Sequence, residues 1–163
     1  KNTNNKFGIV VADQQIKGRG QRGKKWISYK GNLFVSIFFS LEKINFSLKE
    51  LTKINSYLIK KLLSCYYKKK IFIKFPNDLL VDKKKICGIL QETLQKTNIT
   101  YIVVGVGLNL IKNPNINNYP TTNLLELTNK NVKKNTIISE LKVIYENFIN
   151  ESSKFNLKKI KNL

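Results

Sequence analysis

The chain has 163 residues, 42% of them apolar, with 30 Lys plus Arg against 10 Asp plus Glu and no His. That length predicts one domain with a core of its own. Two Cys without a His make neither a four-ligand structural zinc site nor a disulfide framework, and no segment reaches the roughly 18 apolar residues that cross a membrane. A reduced, cytoplasmic setting without a secretory leader is the expectation.

The formal charge of +20 comes almost wholly from Lys, beside many Asn and Ile and a single Ala. This composition reads as drift in an AT-rich genome and as solubilising surface lysine. The Lys are spread along the chain rather than gathered on one face, which makes nucleic acid an unlikely partner. The absence of Met, even at position 1, predicts the trimmed or incomplete remainder of a longer product.

In chain order, Phe7 to Ala12 is a β-branched run that predicts a buried strand. It feeds a glycine-rich loop, Gly18-Arg19-Gly20-Gln21-Arg22-Gly23, which holds both Arg of the chain, and the sole Trp, Trp26, follows. A second strand is predicted from about 32 to 40, too apolar to leave one face in water. Ser47 with Glu50 forms a capping box, and Leu48, Leu51, Ile54, Leu58, Leu62 and Cys65 recur at helical spacing, predicting a helix over 48–66.

Ile71 to Phe75 reads as a strand ended by Pro76, with Asn77 and Asp78 as turn residues before an apolar run at 79–81. The polar stretch 82–85 predicts a hairpin tip that would include Lys85. Strands follow over about 86–94 and 101–110, the second with Gly105 and Gly107 where something must approach the backbone closely. A loop is expected over 113–122, a short helix near 124–128 and an amphipathic helix marked by Ile137, Ile138, Leu141, Ile144, Tyr145 and Phe148. From about 151 a frayed end is expected. The order is that of an α+β domain.

Three segments carry candidate chemistry. The glycine loop does not turn into a helix, so the dinucleotide reading fails, and it lacks the Gly-Lys-Ser/Thr ending of a Walker loop. It is a basic loop whose amides and Arg19 suit phosphate oxygens, with Trp26 able to stack on a flat ring. Asn77, Asp78 and Lys85 read locally as turn formers and solvated surface. Asn109, at the end of Gly105-Val106-Gly107-Leu108-Asn109, would project near whatever the two glycines admit.

Taken together, Asp13-Xaa-Gln15 with Gly18-Arg19-Gly20 and Trp26, KFPND with KICGILQE, and GVGLN resemble the catalytic domain of biotin protein ligases over about residues 7–111. The resemblance implies an α+β fold of the class II aminoacyl-tRNA-synthetase-like biotin/lipoate ligase type, with a mixed, largely antiparallel sheet. It also implies a reaction in which ATP, with Mg2+, activates biotin as biotinyl-AMP. A biotin carboxyl carrier protein then receives the biotinyl group on a lysine. By position in the motifs, Lys85, Arg19 and Asp78 would be catalytic. Biotin would meet Gln15, Arg19, Gly20, Gln21, Lys85 and Gly88. The nucleotide would meet Gly18, Arg19, Gly20, Gln21, Trp26, Asn77 and Asn109, with the two Asn also near its magnesium.

The departures are specific. Gln21 stands where the family usually has a second loop Arg, which predicts looser retention of the adenylate. Phe75 replaces Trp and Cys87 replaces Ala. The family's upstream Ser-Thr-Asn-like biotin motif, an N-terminal helix-turn-helix and a C-terminal barrel have no counterpart, so the expectation is a catalytic domain over 1–163, incomplete at its N-terminus and without repressor function. Pairing of two copies through a sheet edge is a further expectation. The rivals are a lipoate ligase, whose Arg-Arg-Xaa-Ser-Gly-Gly-Gly loop is missing, and a basic nucleic-acid-binding domain without catalysis.

Overall fold

The computed structural model describes residues 6–160. Six antiparallel strands form one sheet, and two long helices cover one of its faces. The strands are β1 (Phe7–Ala12), β2 (Leu33–Ser40), β3 (Phe72–Lys74), β4 (Asp78–Val81), β5 (Lys84–Lys96) and β6 (Ile99–Leu108), in the order β1-β2-β6-β5-β4-β3. The helices are α1 (Leu48–Tyr66), α2 (Leu124–Thr128) and α3 (Lys134–Asn150). Among the described residues no helix is long and apolar enough to cross a membrane.

Strand alternation sorts the sheet into two faces. Leu33, Val35, Ile37 and Phe39 of β2, Ile102, Val104, Val106 and Leu108 of β6, and Cys87 and Ile89 of β5 are buried against Leu51, Ile54, Leu58 and Leu62 of α1 and Ile137, Leu141, Tyr145 and Phe148 of α3. The other face carries Phe34, Ser36, Val103, Gly105, Gly107, Gly88 and Leu90, and most of these residues border an open cleft.

Helix α1 begins where the capping box predicts, with Ser47 Oγ accepting from the Glu50 amide at 3.3 Å and Glu50 accepting from the Ser47 amide at 2.8 Å. Asn32 is a hub that the sequence reading passed over. It is fully buried; its Oδ1 accepts from the amides of Leu110, Ile111 and Lys112 at 3.0, 3.1 and 3.2 Å, and its Nδ2 donates to Lys112 O at 2.6 Å. One side chain thus satisfies the backbone where the chain leaves β6.

Several expectations are corrected. β1 is an edge strand rather than a buried one, with Val10 59% and Val11 43% exposed, because only β2 pairs with it. β3 is shorter than 71–75, while β5 and β6 extend to meet in a hairpin with Thr97 in the left-handed region. The hairpin tip after β4 is Asp82–Lys83, both at positive φ, so Lys85 lies inside β5. Asp78 opens β4 and is buried instead of standing in a solvated turn. After α3 the chain makes short 3₁₀ turns, and Phe155 packs edge-on against Phe148 with centroids 5.4 Å apart; the expectation of fraying beyond 160 lies outside the described residues.

Replacing Asn32 by Ala leaves the buried Leu110 amide unpaired and removes the bonds to the part-buried amides of Ile111 and Lys112 and to the Lys112 carbonyl. The expected loss is about 3 kcal/mol, read as a fall in Tm of roughly 9 °C for a chain this size.

Candidate active site

One lateral row of the sheet organises the site. Following the register from edge to edge, Ala12, Phe34, Gly107, Gly88, Asp78 and Lys74 lie opposite one another in turn. The two glycines make a flat floor at the centre of the row, and the Trp26 ring rests on it. A Cβ on Gly88 would come within 2.6 Å of Trp26 Cζ3, and one on Gly107 within 2.5 Å of Cε2 and Cζ2. Gly105, two rows further along the sheet on the same face, would meet only Leu90 atoms at 3.6 and 3.7 Å. So the approach that both strand glycines predict is required at Gly107, and its cause is Trp26.

The glycine loop is a tight hairpin. Trp26 N donates to Gly18 O at 2.9 Å, Gly20 N donates to Lys24 O at 2.7 Å, and Arg19 bridges Lys25 across it. The turn is a 3₁₀ turn over Gln21–Gly23 in which Arg22 and Gly23 have positive φ. Of the loop amides expected to suit phosphate oxygens, the Gly20 N–H is bonded within the hairpin. Gly18 is buried behind the loop, while Gly20 and Gln21 line the cleft. The Arg19 guanidinium meets Glu92 of β5 at 2.8 Å. The pair is largely exposed, so its net stabilisation is small.

Lys85 reaches the cleft through an irregularity. In β5, Gly88, Leu90 and Glu92 face the cleft, whereas Cys87 and Ile89 face the helices, and strict alternation would send Lys85 with them. The β4–β5 register shifts between Leu79 and Leu80, so that Leu80 opposes Lys85. Such a bulge re-aims the side chain. Lys85 Nζ lies 2.7 Å from Asp78 Oδ1 in ion-pair contact, off the hydrogen-bonding direction, and 5.0 Å from the Trp26 ring centre. The two side chains are only 16% and 11% exposed. Removing one partner of such a pair costs about 3–5 kcal/mol, because the other is left charged and buried.

Tyr119 completes this cluster, and sequence reasoning missed it inside the expected loop 113–122. Its hydroxyl donates to Asp78 Oδ2 at 2.5 Å, while Lys74 Nζ stands 4.8 Å and Lys85 Nζ 5.6 Å from its ring centre. Burial, with Asp78 beside it, pushes the Tyr119 hydroxyl well above its ordinary range, so it stays protonated and donates. The local signal was Asn117-Asn118 before Tyr119-Pro120, since Asn118 takes a left-handed turn that only Gly, Asn and Asp adopt readily.

The cleft encloses about 710 Å³, and Gln15, Arg19, Gly20, Gln21, Trp26, Asn77, Asp78, Lys85, Gly88 and Asn109 all border it. Gly18 is the one expected site residue outside its lining. The Gln15 amide is held by Ser28 Oγ at 2.8 Å, and the Asn77 carbonyl accepts from Ile89 N at 2.8 Å. Asn109 is buried, with Nδ2 donating to Thr122 O at 3.1 Å, so one of its two donor hydrogens is committed to the loop. Among the described residues the buried Trp26 indole N–H has no hydrogen-bond partner. Burial pushes the Cys87 thiol up to about 12 despite Lys85 nearby, so it is protonated at neutral pH and no nucleophile. Among the described residues no three His, Cys, Asp or Glu side chains converge as a metal site.

Residues 1–109 match the biotin/lipoate A/B protein ligase family. The chain belongs to that family. The bifunctional ligase/repressor BirA of Escherichia coli is 35% identical over 102 residues, covering 61% of this chain and 32% of BirA. Biotin–protein ligase 2 of Arabidopsis thaliana is 34% identical over 122 residues, covering 70% and 35%. The chain therefore spans about a third of the length of these curated relatives. Among solved structures, the biotin protein ligase of Aquifex aeolicus in complex with biotin and ATP superposes with a TM-score of 0.78 at 27% identity, over 94% of this chain and 65% of that one. The α+β sheet with its helices is thus the biotin/lipoate ligase fold.

The glycine floor is directly testable through the sole Trp. Gly88→Ala and Gly107→Ala should each lift Trp26 from the sheet, shifting its fluorescence to the red and costing about 1–3 kcal/mol. Gly105→Ala should leave the emission where it is.

Proposed function

We propose that this family member is a biotin ligase unit that joins biotin to a carrier-protein lysine at the expense of ATP. The observation that carries the reading is the nearly buried Lys85 ammonium, held by Asp78 beside Trp26, in a cleft closed along one side by the basic glycine loop. The Aquifex aeolicus relative, solved with biotin and ATP, supports the choice of substrates.

The chemistry runs in two balanced steps. A carboxylate oxygen of biotin attacks the α-phosphorus of ATP, the bond to the bridging oxygen breaks, and pyrophosphate leaves. An amine of the biotin carboxyl carrier protein then attacks the acyl carbon, AMP departs with the carbonyl-linked oxygen, and the amine loses a proton as the amide forms. Both steps gather negative charge on oxygens around the acyl phosphate. A fixed cation shielded from water stabilises that charge far better than a solvated one.

In this reading Lys85 faces the biotin carboxylate and the α-phosphate. Arg19 exchanges Glu92 for a phosphate oxygen, using the planar fork that suits it to that task. Gln15, Gly20, Gln21 and Gly88 border the biotin side of the cleft, and Trp26, Asn77 and Asn109 the nucleotide side. Asp78 accepts the proton of the incoming amine or orients it. Magnesium accompanies the ATP phosphates as part of that substrate.

Biotin-dependent exchange of labelled pyrophosphate into ATP tests the reading. Lys85→Ala should reduce exchange by about 10²–10³-fold, the scale of losing a preorganised charge contact. Absence of biotin-dependent exchange in the unaltered protein would refute the assignment.

Gln21, in the turn over the cleft, puts an uncharged group where relatives of this motif usually have Arg. The expected consequence is release of biotinyl-AMP and acylation of bystander lysines. Restoring the charge with Gln21→Arg should confine label to the carrier, and equal bystander labelling by both forms would count against this role.

A further inference from the structure

The loop that carries Tyr119 holds Lys85 from two directions at once. Its backbone stands in for a missing strand: β6 ends opposite Cys87, and beyond that point Lys85 N donates to Pro120 O at 2.8 Å while Thr122 N donates to Lys85 O at 3.0 Å, with Lys85 and Thr121 in a parallel bridge. Its side chain meets the same lysine through a carboxylate. Tyr119 binds Asp78 Oδ2, and Lys85 takes Oδ1.

The division of the two oxygens matters physically. A carboxylate free at one oxygen can rotate and draw an ammonium to either side. With Oδ2 tied to a hydroxyl that burial keeps protonated, Oδ1 is the oxygen that faces Lys85, and the ammonium is held between the Trp26 ring, 5.0 Å away, and the Tyr119 ring, 5.6 Å away. A lysine ammonium carries three donors, and because its contact with Asp78 Oδ1 lies off the hydrogen-bonding direction they remain available to other oxygens. The loop is itself pinned at the floor of the site, because Asn109 Nδ2 binds Thr122 O.

We infer that Tyr119 is a positioning residue for the ligase reaction: its hydroxyl fixes the Asp78 carboxylate so that Lys85 points at the reacting oxygens. The role rests on the proposed biotin ligase activity; Tyr119 also borders the cleft, and action through Asp78 is told from direct contact with substrate by whether kcat or KM changes. It accounts for a Tyr directly after the left-handed turn at Asn118. It also gives Lys74 a purpose, as the cation that covers the Tyr119 ring.

Tyr119→Phe removes the hydroxyl and keeps the ring beneath Lys74. In biotin-dependent pyrophosphate exchange its kcat should fall about tenfold, as for a small displacement of a reacting group, while KM for biotin and for ATP stays within about twofold. Incorporation of 4-aminophenylalanine at position 119, which restores an N–H donor in place of the hydroxyl, should recover most of the rate. Retention of the fold and of the Trp26 emission in both variants, with a fall in melting temperature of no more than about 6 °C, accompanies that outcome. A phenylalanine variant with the original kcat, a loss confined to KM, a defect that the amino analogue does not repair, or loss of the fold would each overturn the role. An unaltered protein that shows no exchange would remove the ligase reading, and the positioning role with it.

Discussion

The site depends on how closely one indole can approach a β-sheet. Trp26 lies on the backbone of two strands because Gly88 and Gly107 are register partners and neither has a Cβ to hold the ring away. That contact draws the end of the glycine hairpin onto the sheet, and with it Arg19, Gly20 and Gln21. It also places a flat aromatic surface 5.0 Å from the Lys85 ammonium, within the range where a ring quadrupole attracts a cation. A glycine that weakens an ordinary strand is here the condition for building the cleft.

The electrostatics follow from the same geometry. The cleft is bordered by many cations and by two acids, Asp78 and Glu92, and each acid is matched to one cation the proposed reaction uses. The two matches differ in strength. Lys85 and Asp78 sit in a low-dielectric pocket where separation is costly, so Lys85 stays in place. Arg19 and Glu92 are open to water, where an ion pair is worth little and is readily exchanged for a phosphate. One cation is therefore fixed and the other can be released, although both begin in a contact of similar length.

Much of this architecture was legible beforehand where local chemistry decides the outcome. Ser47 and Glu50 satisfy each other's amides within one turn, so the start of α1 needs nothing from the rest of the chain. Leu124 to Thr128 was readable for a similar reason, with Asn123 Oδ1 capping Glu126 N. The apolar run of β2 announced burial on both faces, and it is buried along most of its length. Legibility failed where the partner decides. Val10 and Val11 have the composition of interior residues, yet their strand has a neighbour on one side only. Asn77, Asp78 and Lys85 drew a bland local reading, and the motif pattern as a whole brought them into consideration.

By itself the sequence determined the elements, the three motifs and thereby the family, because capping, alternation and a fixed order of short motifs are written in neighbouring residues. Only the tertiary structure decided where Lys85 points. Its number in β5 assigns it to the helix-packed face, and a one-residue slip between β4 and β5 turns it to the cleft. The structure alone also brought Tyr119 to Asp78 across 41 positions of chain. Both outcomes follow from strand register and loop docking, which are set by contacts between segments; the neighbouring residues mark a turn at Asn118 but not the partner that Tyr119 meets.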